Sequence, residues 1–89
     1  MKYIYYFAVV VEGPKGSDYY RIWYPDFPGI STSCNNIDHA KAKAIEFLQI
    51  YVENSFKKVQ DLPKPSTKNS IVAIPGWIEV ERILIGITL

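Results

Sequence analysis

The residues that could do chemistry are few in this chain, and they stand apart from one another. His39 is the single histidine and Cys34 the single cysteine. A cysteine nucleophile needs a base within hydrogen-bond reach, and a zinc site needs several Cys or His residues at characteristic spacing. No third Cys or His residue is present to complete a metal site, and the predicted strand and helix that carry Cys34 and His39 do not by themselves bring the two side chains together. We therefore interpret His39 as a solvated residue and Cys34 as a packing residue.

Three carboxylates offer an alternative, because metal-dependent phosphoryl chemistry uses clustered acidic ligands. Glu12 follows an apolar run, whereas Asp26 lies in a turn and Asp38 at the start of a predicted helix. The two aspartates could approach each other at one end of a sheet, so a metal-dependent nuclease stays open as an alternative. Turn formation and helix capping explain them more simply. The main prediction is a protein without catalytic residues, metal ions or cofactors.

Composition places the chain among small globular domains. Apolar residues make up 48% and aromatic residues 15% of its 89 residues, which supports one core and argues against disorder. Ten basic residues oppose nine acidic ones, so the chain lacks the basic field of a nucleic-acid-binding protein. A single cysteine permits no internal disulfide and fits a reducing cytoplasm. The apolar terminal runs are too short to span a bilayer, and no signal peptide is evident. We expect a cytoplasmic protein with no membrane partner.

The periodicity of apolar residues predicts an α+β fold of order β-β-β-α-β. Its elements are strands at 2–12, 19–24, 30–34 and 71–74, a helix over 37–58, and a β-like extension at 77–89. Short connections favour an antiparallel-rich sheet, and one long helix should cover one of its faces. The third strand is the most polar and should lie near an edge. Gly86, inside the extension, suggests a bulge.

The first predicted strand is apolar on both faces. Alternation places one set of side chains on one face, namely Tyr3, Tyr5, Phe7, Val9 and Val11, and a second set on the other, namely Ile4, Tyr6, Ala8 and Val10. We expect the helix to cover one face and another subunit to cover the other. Asn36 is a favourable N-cap for that helix, and Ala40 and Ala44 permit its close approach to the sheet.

A compact turn after the second strand raises the question of what its aromatic residue rests against. The turn consists of Tyr24, Pro25, Asp26, Phe27, Pro28 and Gly29. Both prolines restrict the backbone. We predict that Phe27 packs inward at the junction of sheet and helix, while Asp26 and the turn form a rigid lip. A purely structural role for Pro25, Pro28 and Gly29 stays open.

Taken together, these motifs resemble the HicB antitoxin family. The resemblance rests on the turn 24–29, on the Asn36-capped, alanine-rich helix, and on the sequence Pro63-Lys64-Pro65-Ser66 where the chain leaves the helix. It covers roughly residues 1–74. It implies a partial RNase-H-like fold without that fold's active site. It also implies that the protein neutralises HicA, a small mRNA-cleaving toxin, by covering its RNA-binding and catalytic surface. Residues 24–29 are then the predicted toxin-binding residues.

The C-terminal part departs from the usual family pattern. Many members carry a ribbon–helix–helix or helix–turn–helix domain that binds DNA, whereas residues 83–89 resemble only the opening strand of such a unit. We therefore do not expect this chain alone to bind nucleic acid. We treat 1–89 as one HicB-like domain with a core at 1–74, and 75–89 as a C-terminal strand or oligomerisation extension. The predicted interface of a homodimer or homotetramer contains Trp77, Ile83, Ile85 and Ile87. A self-assembling module without a toxin remains a further alternative.

Overall fold

The chain forms an antiparallel sheet with one helix packed across one face, as seen in a computed structural model that describes residues 3–89. Within these residues the strands are β1 (Ile4–Glu12), β2 (Tyr20–Trp23), β3 (Ser31–Cys34) and β4 (Glu79–Ile87), and the α-helix is α1 (Ala40–Ser55). The predicted α+β class and the β-β-β-α-β order are confirmed. The strands lie in the order β3-β2-β1-β4, so the polar β3 is at an edge, as its sequence predicts.

The first and last strands are neighbours in this sheet. β1 pairs with β4 along most of its length, with Tyr6 opposite Ile85, and with β2 near its C-terminal end, with Val9 opposite Trp23. The irregularity in the β1–β4 ladder lies between Val10 and Val11, so the bulge predicted at Gly86 is wrong. Gly86 instead allows the Tyr3 side chain to pack closely against the backbone of β4. A Cβ atom at this position would lie 2.9 Å from Cδ1 of Tyr3.

Helix α1 begins three residues later and ends three residues earlier than the sequence predicts. The side-chain oxygen of Asn36 accepts a hydrogen bond from the backbone N–H of Asp38 at 2.9 Å, so Asn36 caps the 3₁₀ turn before α1 and not α1 itself, whose N-cap residue is His39. One 3₁₀ turn, Ile37–His39, leads into the helix. The helix ends at Ser55 because Phe56 adopts an extended backbone, with φ −127° and ψ 139°, and its ring joins the core. The predicted end at residue 58 is therefore wrong. No helix within residues 3–89 is both long and apolar enough to cross a bilayer.

The main core lies between α1 and the face of the sheet that the helix covers, the inner face. The helix contributes a buried stripe with four-residue spacing, Ala40, Ala44, Leu48 and Val52. The sheet contributes the buried side chains Tyr6, Ala8, Val10, Ile22, Ile83, Ile85 and Ile87. Alanines at the start of the stripe let the helix lie close to the sheet. Burial of each large aliphatic side chain here contributes about 1.5–3 kcal/mol.

The strand predicted at 71–74 is wrong, because the fourth strand of the sheet is β4. Residues 71–74 instead cross the outer face of the sheet, where Ile71 packs against Val9 and Val11. Val72 is 81% exposed, so only one side of this short run is buried. One half of the outer face is thus covered by the same chain rather than by another subunit. The other half is open, with Tyr3 and Tyr5 more than half exposed.

Candidate functional site

The turn between β2 and β3, residues 24–29, is built from two consecutive tight turns and is called the knuckle below. The backbone N–H of Phe27 donates to the carbonyl of Tyr24 at 3.0 Å, and that of Ile30 donates to the carbonyl of Phe27 at 3.5 Å. Pro25 and Pro28 therefore each occupy the second position of a four-residue turn, where a fixed φ is favourable. Gly29 follows with φ +91°, a conformation that favours glycine. These residue types make the knuckle rigid.

Phe27 packs against aromatic residues of its own chain, as its position in the turn predicts. Its side chain is 4% exposed. Its ring meets that of Tyr6 edge-on, with centroids 4.8 Å apart, and meets Tyr51 and Phe56 edge-on at 6.1 and 6.2 Å. Edge-to-face pairs of this kind add to the stabilisation from burial. Phe27 therefore anchors the knuckle at the junction of sheet and helix.

Tyr24 fixes the other end of the knuckle to the helix. Its hydroxyl donates to the backbone carbonyl of Ala44 at 2.8 Å, and its ring stacks on Phe47 with centroids 6.1 Å apart. Burial raises the pKa of this phenol well above its ordinary value, because the charged form would lose its hydration. Tyr24 is thus a neutral hydrogen-bond donor that ties β2 to α1.

Asp26 joins the knuckle to the segment that leaves the helix, residues 62–66, called the exit segment below. One carboxylate oxygen accepts the backbone N–H of Ser66 at 2.9 Å, and the other accepts the Ser66 hydroxyl. In the same region the Tyr6 hydroxyl donates to the carbonyl of Pro63 at 2.7 Å. Burial, together with the nearby negative charge of Asp26, raises the pKa of Tyr6. The two proline motifs of the sequence therefore form one structural unit.

Only part of the knuckle reaches the surface. Tyr24 and Phe27 are buried, Pro25 and Asp26 are half-buried, and Pro28 and Gly29 are exposed. We call the four residues that are half-buried or exposed, namely Pro25, Asp26, Pro28 and Gly29, the lip. Lys64 and Pro65 of the adjoining exit segment are also exposed. Of the six residues predicted to bind a toxin, the four of the lip can touch another molecule, while the two buried aromatics support the lip from below.

The acidic residues do not assemble into a metal centre in the part of the chain that the structure covers. Among residues 3–89 no group of three or more His, Cys, Asp or Glu side chains lies close enough to hold an ion. Asp26 is engaged by Ser66, and Asp38 lies in the capped 3₁₀ turn before α1. Glu12 is at the end of β1. The arrangement can present a shaped surface, but these residues do not converge on a substrate.

His39 and Cys34 border the same surface depression but differ in exposure. His39 is exposed in the 3₁₀ turn before α1, whereas Cys34 is buried at the end of β3. Burial raises the pKa of the Cys34 thiol, and a raised pKa disfavours the reactive thiolate. The thiol therefore has the environment of a packing residue.

Most residues predicted for an oligomer interface lie inside the core of the same chain. Ile83, Ile85 and Ile87 are at most 8% exposed and face α1. Trp77 is 37% exposed, and the guanidinium of Arg21 lies 4.3 Å from the centroid of its ring. A second copy cannot reach the three isoleucine side chains. It could reach the backbone edge of β4 and the outward-facing Leu84, which sequence reasoning did not single out.

The hydrogen bonds from Ser66 to Asp26 and from Tyr6 to Pro63 were also missed by sequence reasoning. Their partners lie 40 and 57 residues apart, and no periodicity links positions at such separations. The one available signal is that a serine follows the second proline motif, since a short hydroxyl residue there can satisfy a carboxylate. That signal becomes meaningful only once the two motifs are known to meet.

Comparison with known proteins identifies a family. A family model described as the HicB-like antitoxin of bacterial toxin–antitoxin systems matches residues 6–75, well over half of the chain. The matched range contains the knuckle, the helix and the exit segment. Comparisons with curated proteins and with solved structures found no significant match.

Proposed function

Because this chain belongs to the HicB-like antitoxin family, we propose that it neutralises a HicA-type mRNA-cleaving toxin by binding it directly and covering its active surface. The observation that carries this proposal is the lip. Pro28 and Gly29 are exposed on a turn whose two aromatic residues, Tyr24 and Phe27, are buried. A rigid exposed surface loses little conformational entropy on binding.

The exit segment supports the lip as a binding surface. Asp26 accepts two hydrogen bonds from Ser66, so the lip and the exposed Lys64 and Pro65 keep a fixed relative position. This surface carries one lysine and is otherwise uncharged at its most exposed points. We propose that it contributes shape and backbone hydrogen-bonding groups to the complex, with little long-range electrostatic attraction.

We further propose that the chain acts without catalysis. The metal-dependent nuclease was the main enzymatic alternative, and it required Asp26 as a ligand together with Asp38 and Glu12. The Asp26 carboxylate instead holds Ser66, so recruiting it to a metal would break the link between the knuckle and the exit segment. In this proposal residues 1–89 are a single cytoplasmic domain with a partial RNase-H-like fold, and β4 belongs to its core.

Co-purification with the toxin tests the proposed function. The neighbouring reading frame, expected to encode a small basic protein, is co-expressed with this chain, and binding is measured by pull-down and by rescue of growth. Pro28→Arg places a bulky charge on the lip, and we expect it to weaken the complex at least about tenfold, the effect of roughly 1.4 kcal/mol.

Pro14→Arg is the matched control, because Pro14 is also an exposed turn proline but lies between β1 and β2. It should bind and rescue like the wild type. Absence of any complex with the wild-type chain would overturn the antitoxin proposal. Equal binding by both variants would remove the lip from the interface.

A further inference from the structure

The two arginines of the chain, Arg21 and Arg82, have opposite environments. Arg82 forms an ion pair with Glu79 at 2.9 Å and also donates to the backbone carbonyl of Lys68. Arg21 forms no ion pair within residues 3–89, and its half-buried side chain keeps a buried Nε–H group that has no hydrogen-bond partner there. Leaving a buried donor of a charged group unpaired is unfavourable. Arg21 is therefore a cation without an acceptor in the part of the chain that the structure describes.

The guanidinium of Arg21 is nevertheless held in position. It lies 4.3 Å from the centroid of the Trp77 ring, which is a cation–π contact. A tight turn fixes Trp77 in its turn, because the backbone N–H of Trp77 donates to the carbonyl of Ile74 at 3.1 Å. A side chain that is already held in one position loses less conformational entropy when it binds a partner. Arg21 is thus prepared to bind an anion.

Hydrogen-bond donors surround Arg21 on the outer face of the sheet. The register places Ser33 directly opposite Arg21 and Ser31 opposite Trp23, so these four side chains share one face. The indole Nε1–H of Trp23 is also buried without a partner within residues 3–89. A shallow depression beside β3 is lined by Tyr19, Arg21, Ser31, Thr32, Ser33 and Asn35. This lining combines a cation with hydroxyl and amide groups and contains no acidic residue.

The surface next to this depression has the same character. Ser33 and Asn35 also border a second depression, whose lining adds His39 and Lys43 and again contains no acidic residue. Glu12 borders a third depression together with Arg21, but the two side chains form no ion pair within the described chain. The surface along β3 therefore presents cations and neutral donors to an incoming anion.

We propose that Arg21 binds the carboxylate of an aspartate or glutamate side chain of the toxin. This inference rests on the proposed function and assigns a second contact to the same complex. A carboxylate carries one negative charge, and its two oxygens match the planar guanidinium with parallel hydrogen bonds. The hydroxyls of Ser31 and Ser33 can donate to its remaining lone pairs.

Position and charge favour a protein carboxylate over an RNA phosphate. Strand β3 begins at Ser31, two residues after Gly29 of the lip, and Ser33 lies about 7 Å further along the strand. A toxin seated on the lip can therefore cover both places with an interface of ordinary size. RNA binding needs a basic field over a wider surface, whereas the formal net charge of the chain is +1. A toxin that is basic overall still carries individual carboxylates, and this site needs one.

Supplying the missing acid within the chain itself tests the site. Ser33→Glu places a carboxylate opposite Arg21, where opposite charges on facing strands attract each other, and this carboxylate competes with that of the toxin. We expect the affinity for the toxin to fall at least about tenfold, while the variant stays as stable as the wild type. Ser33→Gln, of similar size and neutral, should bind like the wild type.

The outcomes separate this inference from the proposed function. If the wild type binds the toxin and Ser33→Glu binds it equally well, the Arg21 site is overturned and the antitoxin proposal stands. If the wild type forms no complex, both are overturned.

A double-mutant cycle identifies the carboxylate on the toxin. Each aspartate and glutamate of the toxin is replaced by its amide, and affinity is measured against the wild type and against Arg21→Gln. One toxin residue should matter with the wild type and lose its effect with Arg21→Gln. Lys15→Gln removes the same charge from the exposed turn after β1 and should keep the wild-type affinity. Full additivity of every toxin variant with Arg21→Gln would refute the contact.

The indole N–H signals in NMR spectra distinguish a protein carboxylate from a phosphate. Trp23 and Trp77 are the two tryptophans of the chain, and both lie at this site. We expect the toxin to shift their signals, and inorganic phosphate or a short RNA oligonucleotide to leave them unchanged. A saturable shift with phosphate or RNA that is lost in Arg21→Gln would assign the site to a phosphate and overturn the carboxylate assignment.

Discussion

At the scale of single residues, the candidate site depends on polar groups that point into the protein rather than outward. Asp26, Tyr24 and Tyr6 each make their hydrogen bonds to the chain itself. The sequence predicted Asp26 as part of an exposed lip and left a metal-ligand role open. In the structure its carboxylate joins two distant segments. The residue types were sufficient to predict the turn, but the partners of these side chains depend on tertiary contacts.

The raised pKa of Tyr24 predicts a loss of stability at alkaline pH. The ordinary tyrosine pKa is 10.0, and burial raises that of Tyr24 in the folded chain. Between these two pKa values the unfolded chain ionises at this tyrosine while the folded chain does not, so the contribution of Tyr24 to the free energy of unfolding is constant below about pH 10 and falls above it. The expected slope is about 1.4 kcal/mol per pH unit for each such tyrosine.

Urea unfolding from about pH 8 to pH 11 checks this prediction. Tyr24→Phe should be less stable than the wild type by about 1 kcal/mol at neutral pH, and its alkaline slope should be shallower. Part of the slope should remain, because the pKa of Tyr6 is also raised. Ser70→Ala, which removes an exposed hydroxyl, should leave the slope unchanged. An identical slope in wild type and Tyr24→Phe would contradict the expectation.

At the scale of elements, the sequence predicts correctly those helix and strand bounds that depend on residues close together in the chain. Asn36 predicts the start of the helical segment, which is the 3₁₀ turn that leads into α1, and alternation between clear turn residues predicts the strands β1 to β3. The helix ends earlier than its sequence predicts because the Phe56 ring packs against Phe27, which belongs to a distant segment of the chain. The sequence predicts a strand at 71–74 because this run is apolar and rich in β-branched residues. The choice between it and 79–87 as partner of β1 depends on which run can bury alternate residues under α1.

Removing the Asn36 cap of the 3₁₀ turn before α1 should destabilise the domain without changing its fold. Asn36→Ala loses the hydrogen bond to the backbone N–H of Asp38, and we expect the free energy of unfolding to fall by about 1 kcal/mol. Asn36→Asp keeps an acceptor at that position and should stay near the wild type. Asn35→Ala, at the exposed preceding residue, serves as the control in the same chemical denaturation series. A cap variant as stable as this control would show that the cap contributes nothing.

At the scale of the whole molecule, the small net charge limits how a partner can be attracted. Ten basic and nine acidic residues nearly cancel, so electrostatic steering of a basic toxin is weak. The proposed complex then depends on short-range contacts at the lip. This distinguishes the chain from an acidic inhibitor that captures a basic enzyme through its overall field.

Binding of the toxin should therefore change little with salt. Raising the ionic strength from about 50 to about 200 mM shortens the range of charge interactions, and we expect the association rate to fall by less than about threefold. Surface plasmon resonance measures the rate directly. A variant with added surface acidity, Lys15→Glu in the exposed turn after β1, should associate faster and show a steeper salt dependence. A steep dependence in the wild type would contradict the proposed binding mode.

The pairing of β1 with β4 has a consequence for the lifetime of the protein. During synthesis β1 emerges first, and its main partner is not available until residues 79–87 leave the ribosome. A protease that cuts at the exposed Pro75-Gly76 turn would not trim a dispensable tail. It would detach strand β4 together with its core residues Ile83, Ile85 and Ile87, and it would leave most of β1 without a paired strand. A single cleavage can thus convert the intact domain into a degradable fragment.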